Sequence, residues 1–114
     1  MTNNTETTER NNMPDPPEES TLPAYQEYVG ELVDRMGFTK DHNEVFIMLT
    51  EEVGELAKEV RRGWKRPEEA RELAAGELAD VFMYLCNVAN NFGVDLDAAI
   101  RDKIKKNQTR HWDF

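Results

Sequence analysis

Large apolar residues recur every three or four positions from Ala24 onward, which is the spacing of one face of an α-helix. The first helical segment stops at Gly37, because glycine readily takes the left-handed conformation that ends a helix. The second segment begins at its cap, Asp41 or Asn43, and ends before Gly63. Its apolar stripe is so broad that we expect it to contact more than one neighbour.

Two further helical segments follow a short link at residues 64–66. Pro67 suits the first turn of the third helix, which continues to about Phe92 and stops at Gly93. Asp95 caps the fourth helix. No segment alternates between apolar and polar residues at period two, so strands are not expected. The pattern predicts an all-α, four-helix bundle-like fold.

The first 23 residues differ from the rest in composition. They hold four of the five prolines and few large apolar side chains, so they offer little surface to offset the entropy lost on ordering. We predict that residues 1–23 form a disordered or loosely attached tail and residues 24–114 a helical domain. A domain of this size buries only about 60–65% of its unfolded surface, which favours oligomerisation.

Charge and composition exclude several classes of function. The net charge of −9 argues against binding a nucleic-acid polymer, which requires a cationic face. No run of 18 apolar residues is long enough to cross a membrane, and the N-terminus lacks the features of a signal peptide. The single Cys86 lies in an apolar segment, where we interpret it as a core residue in a reducing, cytoplasmic setting.

Five acidic residues interrupt the apolar stripes of the second and third helices. Glu52 and Glu55 are three residues apart and share a helix face, as do Glu77 and Asp80, while Glu51 lies at the edge of the first pair. If the two helices pack antiparallel, four carboxylates converge and repel one another. A hard divalent cation removes that penalty, and oxygen ligands suit Mg²⁺ or Mn²⁺.

Two alternatives bear on this interpretation. Glutamate pairs on helices are commonly just solvated, although these are embedded among apolar residues. A di-iron carboxylate bundle would use Glu-x-x-His pairs, but neither His42 nor His111 follows a glutamate at that spacing. Gly54 and Gly76, beside the acidic residues, would let a neighbouring backbone or a ligand approach closely, or would serve helix packing alone.

The sequence EEVGE at 51–55 and the sequence ELAD at 77–80 resemble the EExxE and ExxD motifs of the MazG-type nucleotide pyrophosphohydrolases. This all-α superfamily also includes dimeric dUTPases, dCTP pyrophosphatase and phosphoribosyl-ATP pyrophosphohydrolase. The resemblance covers roughly residues 25–112. It implies hydrolysis of a nucleoside triphosphate, NTP or dNTP, to a monophosphate and pyrophosphate, for pool control or house-cleaning.

The resemblance also implies roles for the acidic residues. Glu52, Glu55, Glu77 and Asp80 would hold Mg²⁺, and Glu51, Glu52 and Glu55 form the catalytic motif. Glu51 would be either an outer-shell ligand or the base for the attacking water. A metal ion that clamps phosphate oxygens and a carboxylate that takes the proton of water are coherent chemistry for this reaction.

Further residues are candidate substrate contacts. Tyr84 lies one turn after Asp80 and Asn87 seven residues after it, so both extend the acidic face. Trp64 and Lys65 match the position of a Trp-Lys pair in dCTP pyrophosphatase, where Trp64 would stack on a base. Alternatively, Trp64 anchors the link between the second and third helices.

A polar stripe on the fourth helix is the last candidate. Lys103, Asn107 and Arg110 are spaced i, i+4 and i+7. By similarity to the family's closing helix, Lys103 and Arg110 would meet phosphates, and Asn107 the sugar or a phosphate. The alternative is a solvated basic face, since cations are favoured at a helix C-terminus.

The resulting hypothesis is a Mg²⁺-dependent nucleoside triphosphate pyrophosphohydrolase that forms a homodimer or a dimer of dimers. One alternative is an enzyme like phosphoribosyl-ATP pyrophosphohydrolase. The other is a non-catalytic helical interaction module whose acidic residues lie on its surface.

Overall fold

The computed structural model describes residues 13–111, and within them all regular structure is helical. A single 3₁₀ turn, Pro67–Glu69, precedes the third helix. The four α-helices are α1 (Leu22–Met36), α2 (His42–Lys65), α3 (Ala70–Asn91) and α4 (Leu96–Thr109). The predicted all-α fold with four helices is confirmed.

Side-chain caps fix three of the helix starts. Asp41, rather than Asn43, caps α2 by accepting a hydrogen bond from the backbone N–H of Glu44 at 3.0 Å. Asp95 caps α4, as predicted. Thr21 caps α1, which therefore begins two residues before the predicted position.

The chain before α1 contacts the helical domain. Pro14 is buried, and its carbonyl accepts a hydrogen bond from the Tyr28 hydroxyl at 3.2 Å. Residues 1–12 lie outside the described residues, so the loosely attached tail over residues 1–23 stays a prediction.

Glycine ends α1 and follows α3, but it does not end α2. Gly37 and Gly93 have φ angles of 65° and 67°, in the left-handed region that glycine favours. Gly63, predicted as a stop, lies inside α2 and is buried. A Cβ at this position would lie 2.9 Å from the Cβ of Ala70. Gly63 therefore permits close packing against α3, and the predicted link at residues 64–66 is largely helix.

The helices α2 and α3 run antiparallel and make the most extensive contact in the fold. Gly63 meets Ala70 at one end of the pair, and Glu52 meets Glu77 and Asp80 further along. Helix α1 packs across α3, while α4 packs chiefly against α1. The side chain of Gln26 on α1 ties these parts together through hydrogen bonds to Asn90 and to the start of α4.

The core within one chain is small. Val29, Val33 and Cys86 form a buried cluster, and Cys86 is completely buried, as the core interpretation predicted. No helix in the described part of the chain is long and apolar enough to cross a membrane. Many large apolar side chains are more than a third exposed, including Phe38, Phe46, Ile47, Val53, Val60, Leu78, Leu85, Phe92, Ile100 and Ile104. The broad apolar stripe of α2 was expected to contact more than one neighbouring element, but the described residues leave part of that stripe exposed.

Candidate active site

Three carboxylates meet between α2 and α3. Glu52 projects from α2, and Glu77 and Asp80 project from α3 one turn apart. One oxygen of each lies within 4.8 Å of the others, and all three side chains are half-buried. The antiparallel packing thus produces the convergence that the i, i+3 spacing predicted. We call these three residues the acidic cluster.

The surroundings of Glu52 oppose its ionisation. Burial makes the largest contribution to raising its pKa, followed by a hydrogen bond with the Glu77 carboxyl. The negative charges of Asp80, Glu77 and Glu55 raise the pKa of Glu52 further. In the absence of a cation, the acidic cluster is therefore an unfavourable arrangement when all its members are ionised.

A buried oxygen of Glu77 identifies what the acidic cluster lacks. Glu77 Oε2 is buried and has no hydrogen-bond donor among the described residues. A proton on one carboxyl would join Glu52 and Glu77, but two ionised carboxylates have no donor to offer each other. Several oxygens at this spacing are the ligand set that a hard divalent cation prefers. The residues therefore fit a metal ion.

Glu55 and Glu51 lie outside the acidic cluster. Both are exposed on α2. The charge of Glu55 reaches Glu52, whose pKa it helps to raise, and the charge of Glu51 reaches Tyr84. The structure therefore gathers three of the four predicted metal ligands and places Glu55 beside them. The predicted metal contact of Glu55 stays a prediction.

Tyr84 links the acidic cluster to a cavity. Burial raises the pKa of the Tyr84 phenol, and the charges of Glu52, Asp80 and Glu51 raise it further. Tyr84 and Asp80 both line a cavity of about 390 Å³ between α1, α2 and α3. The prediction that Tyr84 and Asp80 face one groove agrees with this geometry.

The sequence did not indicate most of the cavity wall. Phe38, Met48 and Met83 line it together with valine and leucine side chains of α1. Met48 and Met83 have the helical spacing of ordinary core residues, and Phe38 follows the end of α1. These side chains meet only because the chain turns back from α1 into α2, and no local sequence pattern indicates how it does so. Asn87 also lines the cavity, on the face where its spacing from Asp80 placed it.

Trp64 and Lys65 are not brought to the acidic cluster. Trp64 is 76% exposed near the C-terminal end of α2. It follows Glu52 by twelve residues, which is about 18 Å along a straight helix. The predicted stacking of Trp64 on a base in this chain's own cavity therefore finds no support in this placement, and its role stays a prediction.

The polar stripe lies on and just after α4, a helix that contributes no residue to the acidic cluster. Lys103 is exposed, and Arg110 follows the last residue of α4. Asn107 is half-buried, and its Oδ1 is buried without a hydrogen-bond partner in the described part of the chain. The charges that raise the pKa of Glu52 and of Tyr84 all belong to carboxylates.

Comparison with known protein families gives one match. Residues 40–114 match the MazG nucleotide pyrophosphohydrolase domain, and this range includes α2, α3, α4 and the acidic cluster. No curated protein and no solved structure matched the chain in the corresponding comparisons. The matched range exceeds half of the chain and contains both acidic motifs. The chain therefore belongs to the MazG nucleotide pyrophosphohydrolase family.

Proposed function

We propose that the protein hydrolyses a nucleoside triphosphate, NTP or dNTP, to a nucleoside monophosphate and pyrophosphate, and that the reaction depends on Mg²⁺ or Mn²⁺. The observation that carries the proposal is the convergence of Glu52, Glu77 and Asp80 within the range that matches the family. The cavity that begins at Asp80 gives the rest of a nucleotide a place to bind. The work of such an enzyme would be pool control or house-cleaning of nucleotides in the cytoplasm.

Glu52, Glu77 and Asp80 would hold the metal, and Glu55 would add a fourth ligand from the next turn of α2. The buried Glu77 Oε2, which has no donor in the described chain, supports this assignment. When bound, Mg²⁺ polarises phosphate oxygens, lowers the pKa of a coordinated water and offsets charge on the leaving pyrophosphate.

Glu51 is the residue best placed to take the proton of the attacking water. It is exposed, lies outside the acidic cluster and is close enough for its charge to raise the pKa of Tyr84. In the proposed step, the water oxygen bonds to the α-phosphorus, and the bond from this phosphorus to the oxygen that bridges the α and β phosphates breaks. The proton of the water passes to Glu51, and pyrophosphate leaves.

A second copy of the chain would complete the site. A triphosphate requires cations besides the metal, and the charges that shift the pKa of Glu52 and of Tyr84 belong to carboxylates. The exposed apolar side chains of α2, α3 and α4 provide a surface for self-association. We therefore propose a homodimer or a dimer of dimers in which one copy offers residues to the nucleotide bound by the other: Trp64, Lys65, Lys103, Asn107 and Arg110.

A nucleotide panel tests the proposed activity. Each of the common NTPs and dNTPs is incubated with micromolar enzyme and Mg²⁺ or Mn²⁺, and both monophosphate and pyrophosphate are quantified. Pyrophosphate is measured as phosphate after addition of an inorganic pyrophosphatase. We expect equal amounts of the two products from at least one nucleotide. No turnover of any nucleotide with either metal would contradict the proposal.

A further inference from the structure

The cavity beside the acidic cluster contains one buried polar side chain with no partner. Asn87 is 8% exposed, and its side-chain amide makes no hydrogen bond to the described residues. An amide offers two donors and an acceptor, and unlike Glu77 Oε2 the polar atoms of Asn87 are not fully buried, so they stay accessible from the space beside them. Asn87 lines both the cavity of about 390 Å³ and a smaller one of about 200 Å³, and only the larger one also contains Asp80 of the acidic cluster, so a ligand that extends from Asp80 into the larger cavity could supply hydrogen bonds to Asn87.

Asn90, also on α3, provides a comparison, because its side-chain amide has a structural role. The Asn90 amide donates to the backbone carbonyl of Gln26 at 3.0 Å and accepts from Gln26 Nε2 at 3.0 Å. Both polar atoms of Asn90 are therefore used to join α1 to α3. The Asn87 amide, one turn earlier, has no comparable contact in the described chain.

The position of Asn87 relative to the acidic cluster suits a nucleotide. Asp80, Tyr84 and Asn87 follow one another along α3 and line the same cavity. Seven residues separate Asp80 from Asn87, which is about 10 Å along the helix and of the order of a nucleoside's length. A nucleotide whose phosphates lie at Asp80 would thus pass its sugar along Tyr84 and bring its base to Asn87.

The rest of the cavity wall matches the faces of a planar base. Phe38, Met48 and Met83 line the same cavity as Asn87 and give its wall apolar and polarisable groups. The volume lies at the lower end of the range of small-molecule sites, about 300–1,000 Å³. Mostly apolar walls with a few polar groups, here Thr39, Asp80, Tyr84 and Asn87, are typical of a pocket that binds a small molecule and fixes its orientation.

We propose that this cavity binds the base of the nucleotide and that the Asn87 side-chain amide determines which base is preferred, by hydrogen bonding to its polar edge. The proposal rests on the proposed function, because it assigns the end of the substrate that is remote from the metal. An asparagine amide forms paired hydrogen bonds with a base edge that presents a donor beside an acceptor. A base without the matching edge would cover the Asn87 amide without pairing it and would be discriminated against.

The test replaces the amide without changing its size much. Asn87→Leu removes both polar atoms, and Asn91→Leu is the matched control. Asn91 also carries a buried amide nitrogen without a partner in the described chain, and it lines the smaller cavity of about 200 Å³, which Asn87 borders as well, but not the larger cavity. The ratio of kcat/KM between the best and the poorest base is measured for the wild type and both variants. We expect this ratio to fall about tenfold or more in Asn87→Leu, since a paired contact gives discrimination of this size, and to be retained in Asn91→Leu.

A binding measurement separates this inference from the activity. Free nucleosides are titrated without metal into the full-length protein, labelled with ¹⁵N and with ¹³C at the methionine methyl groups, and the Asn87 side-chain amide signal is identified by its loss in Asn87→Leu. We expect the preferred nucleoside to shift this signal and the methyl signals of Met48 and Met83.

The outcomes distinguish the two proposals. Turnover with an unchanged base ranking in Asn87→Leu, or with an Asn87 signal that no nucleoside moves, would overturn the assignment of Asn87 and leave the pyrophosphohydrolase proposal intact. A variant that changes only the preference between ribose and deoxyribose would overturn the base assignment. Absence of any wild-type turnover would contradict the proposed function itself.

Discussion

The contact between α2 and α3 differs along its length: the helices pack closely at one end, and like charges meet in the middle. At one end, Gly63 lies against Ala70 so closely that a Cβ would come within 2.9 Å of the Ala70 Cβ. In the middle, Glu52, Glu77 and Asp80 place three carboxylates together, and burial and like charge raise the pKa of Glu52. Gly54 lies in the same stretch, and apart from its chain neighbours and the adjoining backbone of α2, no described atom lies within 4 Å of the Cβ it lacks.

We infer from this difference that the closely packed end serves the stability of the fold and that the acidic middle serves its function. The closed end is complete within one chain and contributes packing. The middle is incomplete, because its charge is uncompensated, a buried oxygen has no donor in the described chain and its glycines face open space. The expectation that Gly54 and Gly76 admit a neighbouring backbone is wrong for the described part of this chain. Whether a ligand or a second copy approaches them stays a prediction. Mutations at the two places should therefore have opposite kinds of effect.

The largest effect is expected for removal of one charge from the acidic cluster. Asp80→Asn should lower kcat/KM by about 10²–10³-fold or more, because losing a group that stabilises transition-state charge has effects of this size. Glu55→Gln should also abolish activity if Glu55 is the fourth ligand. The helical circular dichroism signal should survive in both variants. Collapse of the fold would instead indicate a structural role, and Glu68→Gln, in the 3₁₀ turn, is the charge-matched control.

The next largest effect is expected at the closed end. Gly63→Ala forces a Cβ against Ala70, including a contact of 3.3 Å with its backbone Cα, so the helices must move apart. Overpacking of this kind typically costs about 1–3 kcal/mol, only partly offset by the higher helix propensity of alanine. Urea denaturation should show a lower free energy of unfolding. Unchanged stability would mean that the two helices can separate without cost.

Neutralising Glu52 should stabilise the metal-free protein while removing metal binding. Because its pKa is raised in the folded state, ionised Glu52 destabilises the fold above that pKa, and protonation removes the penalty. Glu52→Gln should therefore have the higher Tm without metal at neutral pH. The difference from wild type should shrink as the pH falls through the raised pKa of Glu52 towards its ordinary value of 4.5.

Metal addition gives the complementary result. Mg²⁺ should raise the Tm of the wild type by mass action and have a much smaller effect on Glu52→Gln. A helical interaction module whose acidic residues are merely solvated would show the same Tm with and without Mg²⁺ in both proteins. Differential scanning fluorimetry in EDTA and in excess Mg²⁺ distinguishes these results.

The smallest effect is expected at Gly54. An alanine there meets no described atom, so Gly54→Ala should raise the metal-free stability by up to about 1 kcal/mol through helix propensity alone. Loss of stability that depends on protein concentration would indicate that a second copy packs on this face. Loss of activity with increased stability would indicate that the nucleotide or its metal approaches Gly54.

Local sequence patterns were sufficient for the helices and for the acidic cluster. The helical spacing of apolar residues, together with the caps Asp41 and Asp95, determines most element boundaries. The acidic cluster could be predicted because i, i+3 spacing fixes a face, and two consecutive helices joined by a short turn pack antiparallel.

Long-range contacts were not predictable in the same way. Gly63 has the sequence appearance of a helix stop, and only its contact with Ala70 reveals a packing role. The cavity depends on how the segment after α1 brings Phe38 towards Met83, which are 45 positions apart in the sequence. Helical spacing does not fix how the end of α2 and the stripe of α4 lie relative to the acidic cluster, so the contacts predicted for Trp64, Lys65, Lys103, Asn107 and Arg110 stay predictions.

The most direct test of the central claim follows the products of one reaction by ³¹P NMR, with the preferred nucleotide, in Mg²⁺ and then in excess EDTA. We expect monophosphate and pyrophosphate to appear in equal amounts in Mg²⁺, with no reaction in EDTA or with Asp80→Asn. Release of diphosphate and inorganic phosphate, or hydrolysis that continues in EDTA, would contradict a metal-dependent pyrophosphohydrolase site at Glu52, Glu77 and Asp80.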